Sequence, residues 1–337
     1  MPLRWKISSG YPLVRKRRCA MKHLANRREV QWNLPALISG AVLVVLVVVN
    51  ASVQPGYFSS FNLTSVLTGA LPLILIAAGQ FFVILTGGID LSVGAVATVA
   101  NVVAAVMMKS GVASTVSITV LVVAIGLACG LLNGLGVVLG RIQPLLVTLA
   151  TMSIFEGVAL LVLPTPGGVV PTGFSTVLTG TTAAVVILIG LVAGWVWFQR
   201  TPLALQLMAV GSDEAAAQMN GMNVPFVKVA AYVLSGGFAS LCGLYLAAQI
   251  SSGDPTIGLP YTLLSIAAVV IGGARLAGGK GTLWGVVAGG FILSMLNSLI
   301  FFLGVSSYYK DLVQGLILLV AVAITTYRGV RLKYFTL

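Results

Sequence analysis

Ten apolar runs, each thirteen to twenty-four residues long, punctuate the chain: 34–53, 63–86, 91–108, 116–139, 145–163, 181–198, 226–247, 262–274, 283–303 and 309–326. Crossing ~30 Å of hydrocarbon at 1.5 Å per residue takes ~20 apolar residues in a helix, and lipid leaves no other open structure with its backbone satisfied. A soluble core does not use such runs, and β-barrel strands alternate rather than run continuously. With 58% hydrophobic and only 8% charged residues in 337, the expectation is an all-α, polytopic membrane protein of about ten spans. The eighth run is short and reads as a broken or re-entrant segment.

Charge placement orients the chain. With the N-terminus inside, nine of the 19 Lys/Arg lie in residues 1–33, and Arg141, Arg200, Lys228, Arg275, Lys280, Arg328, Arg331 and Lys333 also fall inside. Only Lys109 and Lys310 remain outside. This is the positive-inside bias, and a wrong span count would scramble it. Both termini are therefore expected to be cytoplasmic, and the net charge of +12 belongs to a membrane face rather than to nucleic acid. Three regions follow: a basic tail (1–33), a membrane domain (34–327) containing a cytoplasmic loop (200–226), and a short tail (328–337). The first run is long enough to span and no small-residue cleavage pattern follows it, which argues against a cleaved signal. Met21 opens a more ordinary start, so residues 1–20 read either as an upstream-start artefact or as a disordered tail.

Chemistry-bearing residues are sparse. One His and three cysteines (Cys19, Cys129, Cys242) offer no metal spacing or disulfide framework. Residues 273–282, GARLAGGKGT, invite comparison with a phosphate-binding loop. That pattern needs Gly where Ala274 stands and Ser or Thr where Gly281 stands. The chain is thus expected to bind no nucleotide, cofactor or metal, and no nucleophile–base constellation marks it as an enzyme.

The polar residues within the runs carry two readings each. Asp90 follows a glycine pair and opens the third run; it reads as the N-cap of that span, closed by Ser92, or as a broken-helix site lining a pathway. Glu156 is an acid deep in an apolar segment and should face the bundle interior, a partner or water. Thr148, eight residues earlier, approximates its helical face, and Thr151 is nearby. Gln80, Asn101, Asn133 and Asn297 are amides suited either to interhelical hydrogen bonding or to a neutral polyol substrate. The small residues of GLACGLLNGLG (126–136) permit close helix packing. Two further stretches, GGIDLSVG (87–94) and GGARLAGG (272–279), share the form GGxxLxxG and would mark a structural duplication unless the match is chance.

Residues 209–228, AVGSDEAAAQMNGMNVPFVK, form a polar island. Ser212 is placed as an N-cap, Asp213 and Glu214 suit a helix N-terminus, and Gly221 supplies a stop before Pro225. The helix so defined has about two turns and is marginal alone, so it needs a docking surface.

From 79 to 96, GQFFVILTGGIDLSVGAV, the sequence closely resembles the permease subunits of the ribose-type branch of ABC sugar importers. PLLVTLATMSIFEGVALL (144–161), AVGSDEAAAQMNGMNV (209–224), AAVVIGGARLAGGKGTLWG (267–285) and LGVSSYYKDLVQG (303–315) continue the resemblance in the family's order. It implies a second permease subunit (homo- or heterodimeric), cytoplasmic ABC ATPase subunits that use the ATP, a periplasmic or tethered sugar-binding protein, and a place in the bacterial inner membrane. It also assigns the polar island as the coupling segment seated on the ATPase. Gly211, Glu214, Ala215, Ala216, Gly221 and Asn223 match its motif, Asp213 lies beside them, and the glycine follows EAA after four residues instead of three. Glu156 and Arg275 depart from the family, which commonly carries Arg and a small residue there.

The implied mechanism is alternating access for a monosaccharide or related polyol. Two alternatives stand beside it: an ABC permease for branched-chain amino acids, and a secondary transporter independent of ATP. The scarcity of intramembrane acids counts against the latter.

Overall fold

A computed structural model describes residues 34–304, together with helical positions 309, 312, 315, 316 and 319. The basic tail, the tenth apolar run and the C-terminal tail otherwise lie outside the described residues. Twelve helices make up the described chain: α1 (Leu34–Val53), α2 (Ser60–Leu85), α3 (Val93–Met107), α4 (Val112–Gly140), α5 (Pro144–Val162), α6 (Thr172–Thr179), α7 (Thr181–Phe198), α8 (Pro202–Ser212), α9 (Glu214–Met219), α10 (Val224–Ile250), α11 (Leu259–Ile271) and α12 (Leu283–Phe302). Six of them, α2, α4, α5, α7, α10 and α12, are long and apolar enough to cross a membrane. The protein is therefore a polytopic helical membrane protein. Helix boundaries fall within four residues of the first nine apolar runs.

At 15 and 13 residues, α3 and α11 are only ~20 Å long, short of the hydrocarbon thickness. Non-helical segments, 86–92 and 251–258, precede α3 and α11. Such backbone is tolerated at depth only where protein covers it, and Ser92 and Asp90 are indeed buried.

α10 is the central element, packed against α2, α3 and α4. Its contact with α4 brings main chain against main chain at several points. Gly126, Gly130 and Gly134 recur every four residues on one face of α4, and Gly236 of α10 lies so close that a Cβ there would stand 2.8 Å from the Gly130 nitrogen. Small residues at this spacing let backbones approach where no hydrophobic driving force separates helix from lipid. α7 is held differently, by aromatic contacts of Trp195 and Phe198 with Phe81 and Phe82 of α2 (5.4 and 5.1 Å between ring centroids). Beside it, an apolar crevice of about 350 Å³ opens toward α10, lined by Leu75, Leu191, Phe238 and Leu241 among others.

Connections gather at two ends. At one, Asn101 Oδ1 accepts from the Asp254 amide (2.8 Å), Val169 N donates to Ala105 O (3.0 Å), and Gly167 and Gly253 pair as an isolated antiparallel bridge. The short α6, which its sequence does not announce, lies in this cluster with Ser175 against Ser251 (3.3 Å). At the other end the turns after α2 and α11 meet each other and α8. Among the described residues, Arg141, Arg200, Lys228, Arg275 and Lys280 sit in or beside the turns of this second end, and Lys109 belongs to the first.

Candidate functional site

The polar-island helix forms nearly as its sequence predicts, with one correction. The N-cap is Asp213, not Ser212: Asp213 Oδ1 accepts from Ala216 N at 3.0 Å, while the Ser212 hydroxyl donates to Met208 O within the last turn of α8. The reason is α8 itself, an eleven-residue helix initiated by Thr201, whose hydroxyl accepts from Ala204 N, and by Pro202 at its first position. It carries the chain through Ser212 and leaves Asp213 as the first extended residue. α9 spans six residues and ends at Gly221, whose φ of +80° places it in the left-handed region. Met222 N donates to Ala217 O (3.2 Å) and Gly221 N to Gln218 O (3.0 Å), closing the last turn in a Schellman arrangement. Asn223 then caps α10 by accepting from Phe226 N (3.1 Å).

Glu214 points to Lys228, the fifth residue of α10, with the ammonium 2.7 Å from both carboxylate oxygens. The two acids thus have separate tasks, one capping and one bracing α9 against α10. Ala217 is buried, whereas Ala215 and Met219 are exposed, Met219 by 83%. Gly211 lies upstream on α8, against the two turns described above.

Four of the expected pathway residues converge on segment 86–92. Asp90 is 1% exposed; its Oδ1 accepts from the amide (2.9 Å) and hydroxyl (2.7 Å) of Ser92, and its Oδ2 from the Ser235 hydroxyl of α10 (2.9 Å). Asn133 of α4 donates to Ser92 Oγ (2.7 Å). With its amide oriented to satisfy both groups, Gln80 donates to the Asp90 carbonyl (2.9 Å) and accepts from the Asp90 amide (3.2 Å). Thr148 of α5 donates to Ile89 O (3.3 Å). Asp90 therefore does not cap α3, whose N-cap position is Ser92 with no side-chain cap bond. Two residues further out, it ties the break between α2 and α3 to α10, and through Ser92 to α4. Two oxygens around this network, Asn133 Oδ1 and Tyr232 OH, are buried without a hydrogen-bond partner among the described residues.

The other four do not join them. Asn101 holds the opposite end of the bundle through Asp254. Thr151 bonds back to Val147 O in its own helix (3.1 Å). Glu156 is half-buried on α5, a helix packed on one side only, and its Oε1 is buried with no partner among the described residues. Asn297 lies on α12, away from segment 86–92. Ser92 was expected beside Asp90, but Ser235, which the acid also needs, was not singled out from sequence; a serine in an apolar span is a weak signal, and 145 positions separate it from Asp90.

Replacing Asp90 by alanine leaves the Ser92 and Ser235 donors and the Ser92 amide without their acceptor. Each such buried loss costs about 1–3 kcal/mol, so the solubilised protein should melt several degrees lower, with Asp90→Asn in between. An unchanged melting temperature for Asp90→Ala would show that the segment holds without its carboxylate.

The two GGxxLxxG turns resemble each other, but not in the register of their sequence match. α2 closes with Gly88 N donating to Val83 O (3.1 Å) and Gly87 at φ +79°; α11 closes with Ala274 N donating to Val269 O (3.1 Å) and Gly273 at φ +86°. Gly87 thus corresponds to Gly273, whereas the motif pairs it with Gly272. The shared feature is a Schellman stop that any Gly at the right position supplies.

Residues 62–322 match the family described as "Branched-chain amino acid transport system / permease component", and the chain belongs to that family. Individual relatives narrow it further: the ribose import permease protein RbsC of Bacillus subtilis is 39% identical over 288 residues, covering 83% of this chain and 89% of the relative. RbsC of Haemophilus influenzae is 35% identical over 301 residues (86% and 92%), and the D-allose transport system permease protein AlsC of Escherichia coli is 33% identical over 293 (84% and 89%). No solved structure matches.

Proposed function

We propose that the chain is the membrane-spanning subunit of an ATP-driven, binding-protein-dependent importer that moves a monosaccharide or related polyol across the bacterial inner membrane. The observation that carries this is similarity over 83–86% of the chain, at 33–39% identity, to permeases named for ribose and allose. Ten spans with both termini cytoplasmic fit the charge distribution, the tenth lying at 309–326. The tails 1–33 and 328–337 then flank a single permease domain. ATP is hydrolysed by partner ABC subunits, a binding protein delivers the sugar, and a second permease, identical or related, completes the pathway. Segment 200–226, with Gly211, Asp213, Glu214, Ala215, Ala216, Gly221 and Asn223, couples the ATPase to the spans. Exposed Ala215 and Met219 on a helix too short to stand alone support that role. The polar groups at Gln80, Asp90, Asn133 and Thr148 fix the broken start of α3, and Asn101, Thr151, Glu156 and Asn297 are candidates for the pathway wall.

Vesicles containing the chain with its ATPase and binding protein should accumulate sugar when ATP is supplied. Accumulation that persists without the ATPase, driven by an ion gradient, would identify a secondary transporter instead. The family's description favours a second reading, transport of branched-chain amino acids. A binding protein partner that retains leucine or valine and no sugar would establish it.

A further inference from the structure

Three segments distant in sequence meet backbone to backbone at the end of the bundle that holds the coupling segment. The last carbonyl of α2, Leu85 O, is a helix-terminal acceptor with no intrahelical donor. The Gly279 amide, from the turn after α11, donates to it at 2.9 Å. Gly211 of α8 lies against both: a Cβ at 211 would stand 2.6 Å from the Gly279 nitrogen and would overlap the Leu85 oxygen. One residue earlier, a Cβ on Gly278 would stand 2.8 Å from Gly211 O and 2.8 Å from Gly87 N. Gly278 and Gly279 have φ of +87° and +75°, so the turn is shaped by residues that L side chains replace only with strain. The contacts of Gly211 and Gly278 are with main chain, and the one side chain at the junction, the Ser212 hydroxyl beside Gly279, is tied back to Met208 O, so little can rotate or compress to absorb a displacement. Asp213, which starts α9, is two residues beyond Gly211.

We propose that Gly211 is a positioning residue that joins α8 and the turns 86–92 and 272–282 into one rigid transmitting unit. A displacement of α9 then moves the entrance of α3 and the entrance of α12 together. This rests on the ATP-driven reading above and deepens it, because it states which parts of the permease the coupling segment drives. Gly211→Ala wedges the unit apart without touching the exposed surface of α9.

The test uses the full complex in vesicles, reading ATP hydrolysis and sugar uptake separately. Gly211→Ala should keep at least half of the hydrolysis while uptake falls at least tenfold, with Gly40→Ala, whose Cβ would meet open space, behaving as wild type. A second arm leaves every glycine intact. Ser212→Cys and Lys280→Cys, both exposed positions, are joined by a short reducible bis-thiosulfonate in a Cys19→Ser background. Cross-linking should leave uptake unchanged in the otherwise native protein and raise it in Gly211→Ala, with reduction reversing that gain. Uptake that stops on cross-linking the native junction would mean that the segments slide, and uptake falling only in proportion to hydrolysis in Gly211→Ala would mean a structural role alone; either overturns the proposal. Failure of the unaltered complex to import sugar with ATP would instead overturn the functional reading and the proposal with it.

Discussion

Gly236→Leu should sharply lower the melting temperature and the membrane yield of the protein. A Cβ at 236 stands 2.8 Å from the Gly130 nitrogen and 3.0 Å from the Gly126 carbonyl carbon, so the new side chain meets main chain on α4 and not a rotamer that could move aside. Overpacking costs about 1–3 kcal/mol where neighbours can shift. With backbone as the obstacle the cost belongs at the upper end, about 3 kcal/mol, or roughly a hundredfold in the folded ratio. Gly190→Leu on α7, where an added Cβ finds nothing within 4 Å, should stay within about 0.5 kcal/mol of the native protein. Thermal melting in detergent and yield in the membrane check both, and equal melting of Gly236→Leu and the native protein would refute the close-packed seam.

The second large effect is expected at the coupling segment and on transport, not on insertion. Gly221 closes α9 from a φ of +80°, a conformation that costs an L residue about 1–2 kcal/mol. α9 has six residues and little of its own to offset that loss. Gly221→Leu should therefore lower ATP-driven uptake at least tenfold while membrane levels hold. Gly221→Asn should retain more, since Asn tolerates the left-handed region. Glu214→Lys removes the pair with Lys228 and sets two cations face to face, and the same loss of uptake is expected. Normal transport by Gly221→Leu would remove α9 from the coupling route.

What the sequence made legible was governed by local physics. Long apolar runs located nine helices because the bilayer demands continuous hydrophobicity, and the Asp213, Glu214 and Gly221 signals located α9 because capping is a matter of a few adjacent residues. α8 escaped notice because its eleven residues are too short to be a span and its end runs into the polar island, which shifted the cap by one residue from Ser212 to Asp213. The convergence of Gln80, Asp90, Asn133 and Thr148 was not legible, since each is an isolated polar residue in its own run and only tertiary packing brings them to segment 86–92. The glycine motif misled in register: an eight-residue pattern aligned Gly87 with Gly272, whereas backbone hydrogen bonding aligns it with Gly273.

The α4–α10 contact has one more consequence, in the entropy of assembly. Burying a leucine in a helix interface freezes rotamers at a cost of about 0.5–1 kcal/mol, and longer side chains cost up to about 2. Gly126, Gly130 and Gly236 have no rotamers to freeze, so along these positions the two helices come together with only the loss of their relative motion. The longest helix described, α4 at 29 residues, is thereby held to the centre of the bundle by a contact in which few side chains have to be ordered.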